Sequence, residues 1–342
     1  MQSFLRWTLS AAATATLALS SLTGAHAQTR TCTAESPCVL RIATVAPQGT
    51  PWAQQLRSME SRIESASGGR INVRPFLGQS DGENSLARQC VDGSLEGVGV
   101  STGALANLVP QLGVFELPFL FDTAEQADRV IDNHLFTRFE SILGAAGLQL
   151  YIFSENGFRN FASTNGTVIR SSAELRTLQM RAQEYWIHEQ MYRALGGNPV
   201  TIATPEVTTA LTNGTVQGFD NTALFSQAAG WDRFANTWTI SNHIYQPAVV
   251  VYNKAWFDSL PADLQEILIA NRETETRSGR RAIRALTPLL LQNLRNRNME
   301  VVELTAAERQ AMAQATQSVH AEFRRRVTGG GELLDIILSN RR

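Results

Sequence analysis

Arginines that close short apolar runs have the strongest chemical character in this chain. Arg159 ends Gly157-Phe158-Arg159, and Arg181 falls near the end of Leu178-Gln179-Met180-Arg181-Ala182. Asn221 closes a third such segment, Gly218-Phe219-Asp220-Asn221. Together the three segments are expected to line one cleft. Arg181 closes a strand, so its guanidinium should emerge at the carboxyl end, where open α/β sheets bind ligands. A planar guanidinium presents a rigid fork of donors that matches a carboxylate bidentately, which an ammonium cannot do. Lys254 is the only lysine among 30 basic residues, so most arginines here are solvated surface charge. Position at a strand end, beside two similar segments, sets Arg181 apart.

Ser101 suggests a different chemistry. Gly99-Val100-Ser101-Thr102-Gly103 fits G-x-S-x-G, the strand-to-helix elbow that carries the nucleophile of α/β-hydrolases. The rest of such a machine is missing. No His-Gly-Gly segment precedes it, and no Asp is evidently placed to orient His134, His188, His243 or His320 as a general base. A serine hydrolase using Ser101 is therefore the alternative to a binding protein. The plainer reading is a tight turn that needs small residues and can still offer hydroxyls and helix amides to an anion.

The cysteines take their meaning from the first residues. Arg6, the apolar stretch from Trp7 to Leu22 and Ala25-His26-Ala27 form a signal peptide over 1–27, with Gln28 as the first mature residue. In an oxidising compartment Cys32 and Cys38, flanking Pro37, are expected to form a small-loop disulfide. Cys90 reads as a buried thiol beside Leu86, although three cysteines also permit pairings that include it. No Cys or His pair has structural-zinc spacing, so neither metal nor cofactor is expected. Beyond the signal no apolar run reaches eighteen residues, so the mature chain should not enter a membrane.

The elements that must position these side chains alternate. Val39–Val45, Ile71–Phe76 and Leu95–Val100 read as strands. A helix after Thr50-Pro51 and another over Glu83–Asp92 separate them, which argues a mostly parallel sheet covered by helices. Phe115-Glu116-Leu117-Pro118-Phe119-Leu120-Phe121 reads as core. Asp122 with Glu125 is expected to cap the next helix. Leu148–Phe153, Thr237–Ser241 and Ala248–Tyr252 read as strands. A helical tract from Pro261 towards Asn296 should kink at Pro288, and a further helix should run from Thr305 to Val327. The 342 residues exceed one ordinary core, so two domains are expected. Net charge is -1 and no basic stripe stands out beyond Arg324-Arg325-Arg326, which excludes a nucleic-acid partner.

The segments 112–121, 157–159 and 178–181 resemble, in order, a known family. So do Ala194-Leu195-Gly196-Gly197-Asn198-Pro199, Pro205-Glu206-Val207 and the stretch around His243. The family is the periplasmic solute receptors of tripartite ATP-independent periplasmic (TRAP) transporters, the DctP type. The resemblance implies a two-domain periplasmic-binding-protein fold of the α/β class. Each domain would be a mixed sheet flanked by helices, with the cleft between them and a long kinked helix crossing both. Domain I would comprise 28–153 and about 246–286, and domain II about 154–245 and 287–342. The family's main carboxylate arginine falls on Arg181, its supporting arginine on Arg159 and its cleft asparagine on Asn221. Phe219 replaces the family's usual Gln and makes that part of the pocket more apolar. Ser101 and Thr102 border the ligand in relatives, and Trp186 or Tyr185 could supply an aromatic wall. The implied role is a periplasmic monomer that hands a small organic carboxylate to TRAP membrane subunits. A ligand-presenting sensor subunit is a further alternative.

Overall fold

The computed structural model describes residues 29–341; the expected signal peptide and its cleavage point lie outside them. Nine strands build a single sheet: β1 (Cys38–Ala43), β2 (Ile71–Phe76), β3 (Gly97–Ser101), β4 (Leu148–Ser163), β5 (Gln179–Ala182), β6 (Asn198–Thr201), β7 (Gly218–Asn221), β8 (Thr237–Asn253) and β9 (Glu300–Glu303). Their order is β2-β1-β3-β8-β4-β7-β5-β6, with β9 paired to β8. β1 runs parallel to β2 and β3, and β5 parallel to β6 and β7. β4 and β8 run antiparallel through the middle, which makes the sheet mixed.

Those two strands are longer than their sequence pattern suggests. β4 continues past Phe153 to Ser163, and the expected strands 237–241 and 248–252 are one strand, β8. The linking stretches, Ser154–Arg159 and Asn242–Pro247, are too polar to show a strand's alternation. They pair with each other instead, with register shifts at Leu150/Ile152, Glu155/Gly157 and Arg159/Phe161. Each shift is a bulge that raises local twist and breaks the ladder.

Helices cover both faces in each half of the sheet. In the first half Leu86, Val98, Phe115 and Leu150 pack on one face, and Leu40, Trp52, Leu56 and Tyr252 on the other. In the second half the corresponding groups are Met180, Tyr192 and Leu195, then Phe219, Trp231 and Trp238. The two lobes share β4, β8 and the long bent helix Arg272–Asn296, which contains Pro288. Gln55 in the first lobe donates to Glu275 O near the start of that helix, and Gln227 in the second donates to Leu290 O further along. The last helices pack against the first lobe, through Val319, Phe323, Leu333 and Ile337, rather than with the rest of 287–342 in the second. An apolar stripe predicts that a face is buried but not what buries it.

Local chemistry sets several boundaries. Thr50 caps the helix Pro51–Ala66 by accepting from Ala53 N. The cap near Asp122 forms one residue later than expected: Thr123 accepts from Gln126 N, and the Gln126 amide oxygen accepts from Asp122 N. The tract after Pro261 is two helices, Ala262–Ile269 and Arg272–Asn296, parted at Asn271 in the left-handed region (φ 59°). The tract from Thr305 likewise divides into Ala306–Ala315 and Gln317–Arg326. Cys32 and Cys38 are disulfide-bonded, with Cα atoms 5.2 Å apart, while Cys90 is a free, buried thiol. Among the described residues no helix is long and apolar enough to cross a membrane.

Candidate functional site

A cavity lies between the lobes, lined by side chains from both. Thr44 and Ala46 enter it just after β1, Arg181 and Gln183 from the end of β5, and Asn221 from the end of β7. Asn156 and Arg159 reach it from the middle of β4, and Gln246 from β8. Cavity-lining polar groups thus collect at the carboxyl ends of the parallel strands, where open α/β sheets bind ligands, and over the shared antiparallel pair.

Arg159 and Arg181 are both about 1% exposed, yet their surroundings differ. Arg159 Nε donates to Asp220 Oδ2 at 2.6 Å and Nη2 to Asp220 O at 2.7 Å. Its Nη1 donates to Gln183 Oε1 at 2.8 Å and to Gln246 Oε1 at 3.1 Å. Asp220 in turn accepts from Tyr192 Oη at 2.7 Å and lies 3.2 Å from His243 Nε2. Burial would raise the Asp220 pKa, but Arg159 and His243 hold it well below the usual carboxylate range. Arg159 is therefore charge-balanced before any ligand arrives.

Arg181 is not. Its Nε donates to Ile202 O at 3.0 Å and its Nη2 reaches Thr204 Oγ1 at 3.5 Å. No carboxylate lies within ion-pair distance, and Nη1 has no hydrogen-bond partner among the described residues. The guanidinium carbon sits 5.4 Å from the Trp231 ring centroid, and Phe219 and Phe225 brace that ring edge-on. Burial first, and the nearby Arg159 charge second, push the Arg181 pKa down to about 10. Asn221 complements it. Its Oδ1 accepts from Thr222 N at 2.8 Å, leaving Nδ2 as a donor in the cavity that Asn221 lines.

The cavity also carries an acidic group that belongs to no sequence motif. Glu83, the first residue of the helix Glu83–Val91, lines the cavity and accepts from Ser101 N at 2.7 Å and from Ser101 Oγ at 2.8 Å. Burial pushes its pKa up, against the pull of those two hydrogen bonds. Ser101 thus stands behind Glu83, and among the described residues no histidine bonds to it; its Oγ also accepts from Gln183 Nε2 at 3.0 Å and from Ala104 N at 3.2 Å. The G-x-S-x-G pattern has a packing origin. A Cβ on Gly99 would lie 3.1 Å from the Trp52 ring, and one on Gly103 would lie 2.9 Å from Gln183 Nε2 and 3.0 Å from the Glu116 carboxyl carbon.

Four other sequence candidates lie outside the cavity. Thr102 Oγ1 donates to Glu116 and to Pro247 O within the core. Phe219 supports Trp231 and is fully buried, so it does not make the cavity wall apolar. Trp186 lies under Arg326, with the guanidinium carbon 4.8 Å from a ring centroid. Tyr185 packs against Gly113, where an added Cβ would collide with its ring. The aromatic residues that do line the cavity are Trp52 and Phe225. Trp52 was legible only as the first apolar residue of its helix, and Glu83, Gln183 and Gln246 carried no spacing signal at all.

Residues 42–326 match the DctP family, bacterial extracellular solute-binding protein, family 7. A solute-binding protein of Verminephrobacter eiseniae is 28% identical over 296 residues, 85% of this chain and 86% of its own length. The C4-dicarboxylate-binding periplasmic protein DctP of Rhodobacter capsulatus is 28% identical over 298 residues, 85% of this chain and 88% of its own. The crystal structure of the sugar acid binding protein DctPAm of Advenella mimigardefordensis, in complex with galactonate, aligns with a TM-score of 0.83 at 26% identity. It covers 89% of this chain and 99% of that one. All three are solute-binding proteins rather than enzymes, as this chain is. A cleft at the strand ends, an unpaired arginine within it and a match over most of the sequence lead to one conclusion: the chain belongs to the DctP family of bacterial extracellular solute-binding proteins.

Proposed function

We propose that this protein captures a hydroxylated monocarboxylate of the sugar-acid type in the periplasm, having been exported by a cleaved signal peptide, and delivers it to the membrane subunits of a TRAP transporter. One observation carries the reading: Arg181 is a buried guanidinium without an acidic partner, so a ligand carboxylate supplies the missing charge. Asn221 Nδ2 supports the same carboxylate, and Arg159, anchored by Asp220, holds the floor beneath it.

Glu83 narrows the class. It lines the same cavity as Arg181 without a salt bridge to it, so the cavity holds a basic and an acidic group side by side in one lining. A second carboxylate on the ligand would meet Glu83 with like charge, whereas hydroxyls would donate to it. That favours the sugar acids, as with the galactonate of the Advenella relative, over the C4-dicarboxylates of the Rhodobacter relative. Isothermal titration of the purified protein against galactonate, gluconate, erythronate and succinate tests this. At least one hydroxylated monocarboxylate should bind much more tightly than succinate, and Arg181→Ala should abolish that binding. Succinate binding best, or binding retained in Arg181→Ala, would sink the reading. Uptake of labelled ligand by proteoliposomes holding TRAP membrane subunits should require the protein.

A further inference from the structure

Gln183 belongs to no sequence motif singled out above, yet it links Arg159 to Ser101 at the cavity. It follows β5, while Ser101 closes β3, and three strands (β8, β4 and β7) separate those two in the sheet. Gln183 Nε2 donates to Ser101 Oγ at 3.0 Å across that span. Its Oε1 accepts from Arg159 Nη1 at 2.8 Å and from Gln246 Nε2 at 3.2 Å. A guanidinium can only donate, so the amide has one orientation, with oxygen towards Arg159 and nitrogen towards Ser101.

That orientation fixes the next link. Two N–H donors, from Gln183 and Ala104, point at the Ser101 hydroxyl and occupy its lone pairs. Its single proton therefore goes to Glu83 Oε2, 2.8 Å away. The result is a chain of hydrogen bonds with one direction throughout. It begins at Asp220-anchored Arg159, passes through Gln183 and Ser101, and ends on the Glu83 carboxylate. Bonds aligned in this way polarise one another. Gly103 leaves room for the Gln183 amide, since a Cβ there would lie 2.9 Å from Nε2.

We propose that Gln183 is a positioning residue for ligand selectivity: acting through Ser101, it holds Glu83 with its remaining lone pairs presented to ligand hydroxyls. The proposal rests on the sugar-acid reading of the cavity. Gln183 itself is not required to touch the ligand.

A double-mutant cycle read by isothermal titration with D-galactonate, and with D-gluconate and D-erythronate as further hydroxylated probes, tests it. Glu83→Gln should lower affinity for the bound acid roughly 10- to 100-fold, as expected for a hydrogen bond to a charged acceptor. Gln183→Met should lower it about three- to tenfold in the native background and have no further effect in the Glu83→Gln background. Gln183→Glu should cost more than Gln183→Met, because a second carboxylate competes for the Ser101 proton. Gly103→Ala crowds the same amide, together with the Glu116 carboxyl, and serves in the cycle should Gln183→Met fail to fold, as judged by urea denaturation. Losses that add in the double variant overturn the proposal, since Gln183 would then act through Arg159 or the fold. An unchanged affinity in both Gln183 variants also overturns it. If the native protein binds none of the three acids, the sugar-acid reading falls and this proposal falls with it. Binding with additive losses removes this proposal alone.

Discussion

Two arginines of similar appearance in the sequence have opposite roles, and the difference is electrostatic. Arg159 is half of a buried ion pair, so removing it strands Asp220. Arg159→Met should destabilise the ligand-free protein by about 3–5 kcal/mol, measured by urea unfolding. Arg181 has no such partner among the described residues. Arg181→Ala should leave unfolding of the empty protein unchanged or shifted to higher urea, because it deletes an uncompensated buried charge. The same change should weaken ligand binding by ~2–5 kcal/mol, about 30-fold to several thousand-fold. Arg181→Lys should bind poorly too, since an ammonium cannot supply two parallel donors. A strongly destabilised Arg181→Ala protein would mean that the residue holds the fold and not the ligand. Asp220 adds a pH signature. Its folded pKa is depressed, so its stabilising contribution is fully present above the unfolded Asp value, about 3.9, and is lost as pH falls through the folded value. Asp220→Asn should accordingly flatten the acid limb of the stability–pH curve, and an unaltered limb would refute the assignment. Glu83, raised instead of lowered, should take up its proton first on acidification, so affinity for hydroxylated acids should fall before the protein unfolds.

At the scale of elements, the alternation of short strands and helices was legible because its signals are local: Thr50-Pro51 opening a helix, apolar runs of strand length, glycines at turns. Arg181 and Asn221 were legible for the same reason, as polar residues at the ends of apolar strands. Interactions between distant segments were not. Nothing near Arg159 in sequence reveals that Asp220 neutralises it across 61 positions. Nothing near Ser101 reveals Gln183, 82 positions away. Phe219 and Trp186 were read as cavity walls because large apolar residues near a site residue look alike whether they face ligand or core. The two glycines of G-x-S-x-G show the converse, a catalytic-looking pattern produced by close packing. Gly99→Ala should therefore push the Trp52 ring and cost about 1–3 kcal/mol of stability, with weaker ligand binding. A full-strength binder of native stability would show that the 3.1 Å approach is not constraining.

The whole molecule is one sheet shared by two lobes, and its amino end is fastened separately. The Cys32–Cys38 bridge closes a short loop (sequence separation 6), and Arg30 N donates to Ser259 O nearby. Cys32→Ser with Cys38→Ser should lower unfolding stability by about 2 kcal/mol on the loop-entropy estimate, while Cys90 should resist alkylation until the chain unfolds. An unchanged urea midpoint would mean that the bridge does not constrain the unfolded chain. Relative movement of the lobes must deform β4 and β8, and the register shift at Glu155/Gly157 is the middle of three places where their ladder is already interrupted. Trp52 is attached at that point: its indole N–H donates to Glu155 O and to Asn156 Oδ1, both at 3.1 Å. Its ring also lines the cavity, while the Trp231 ring lies 5.4 Å from the Arg181 guanidinium carbon. Indole emission responds to the polarity and fields around the ring, and here one indole is bonded at the register shift and the other lies against the Arg181 guanidinium. The protein thereby carries its own optical reporter of occupancy. Intrinsic tryptophan fluorescence should shift on ligand binding, and Trp52→Phe should remove the part of that shift that follows movement of the strands.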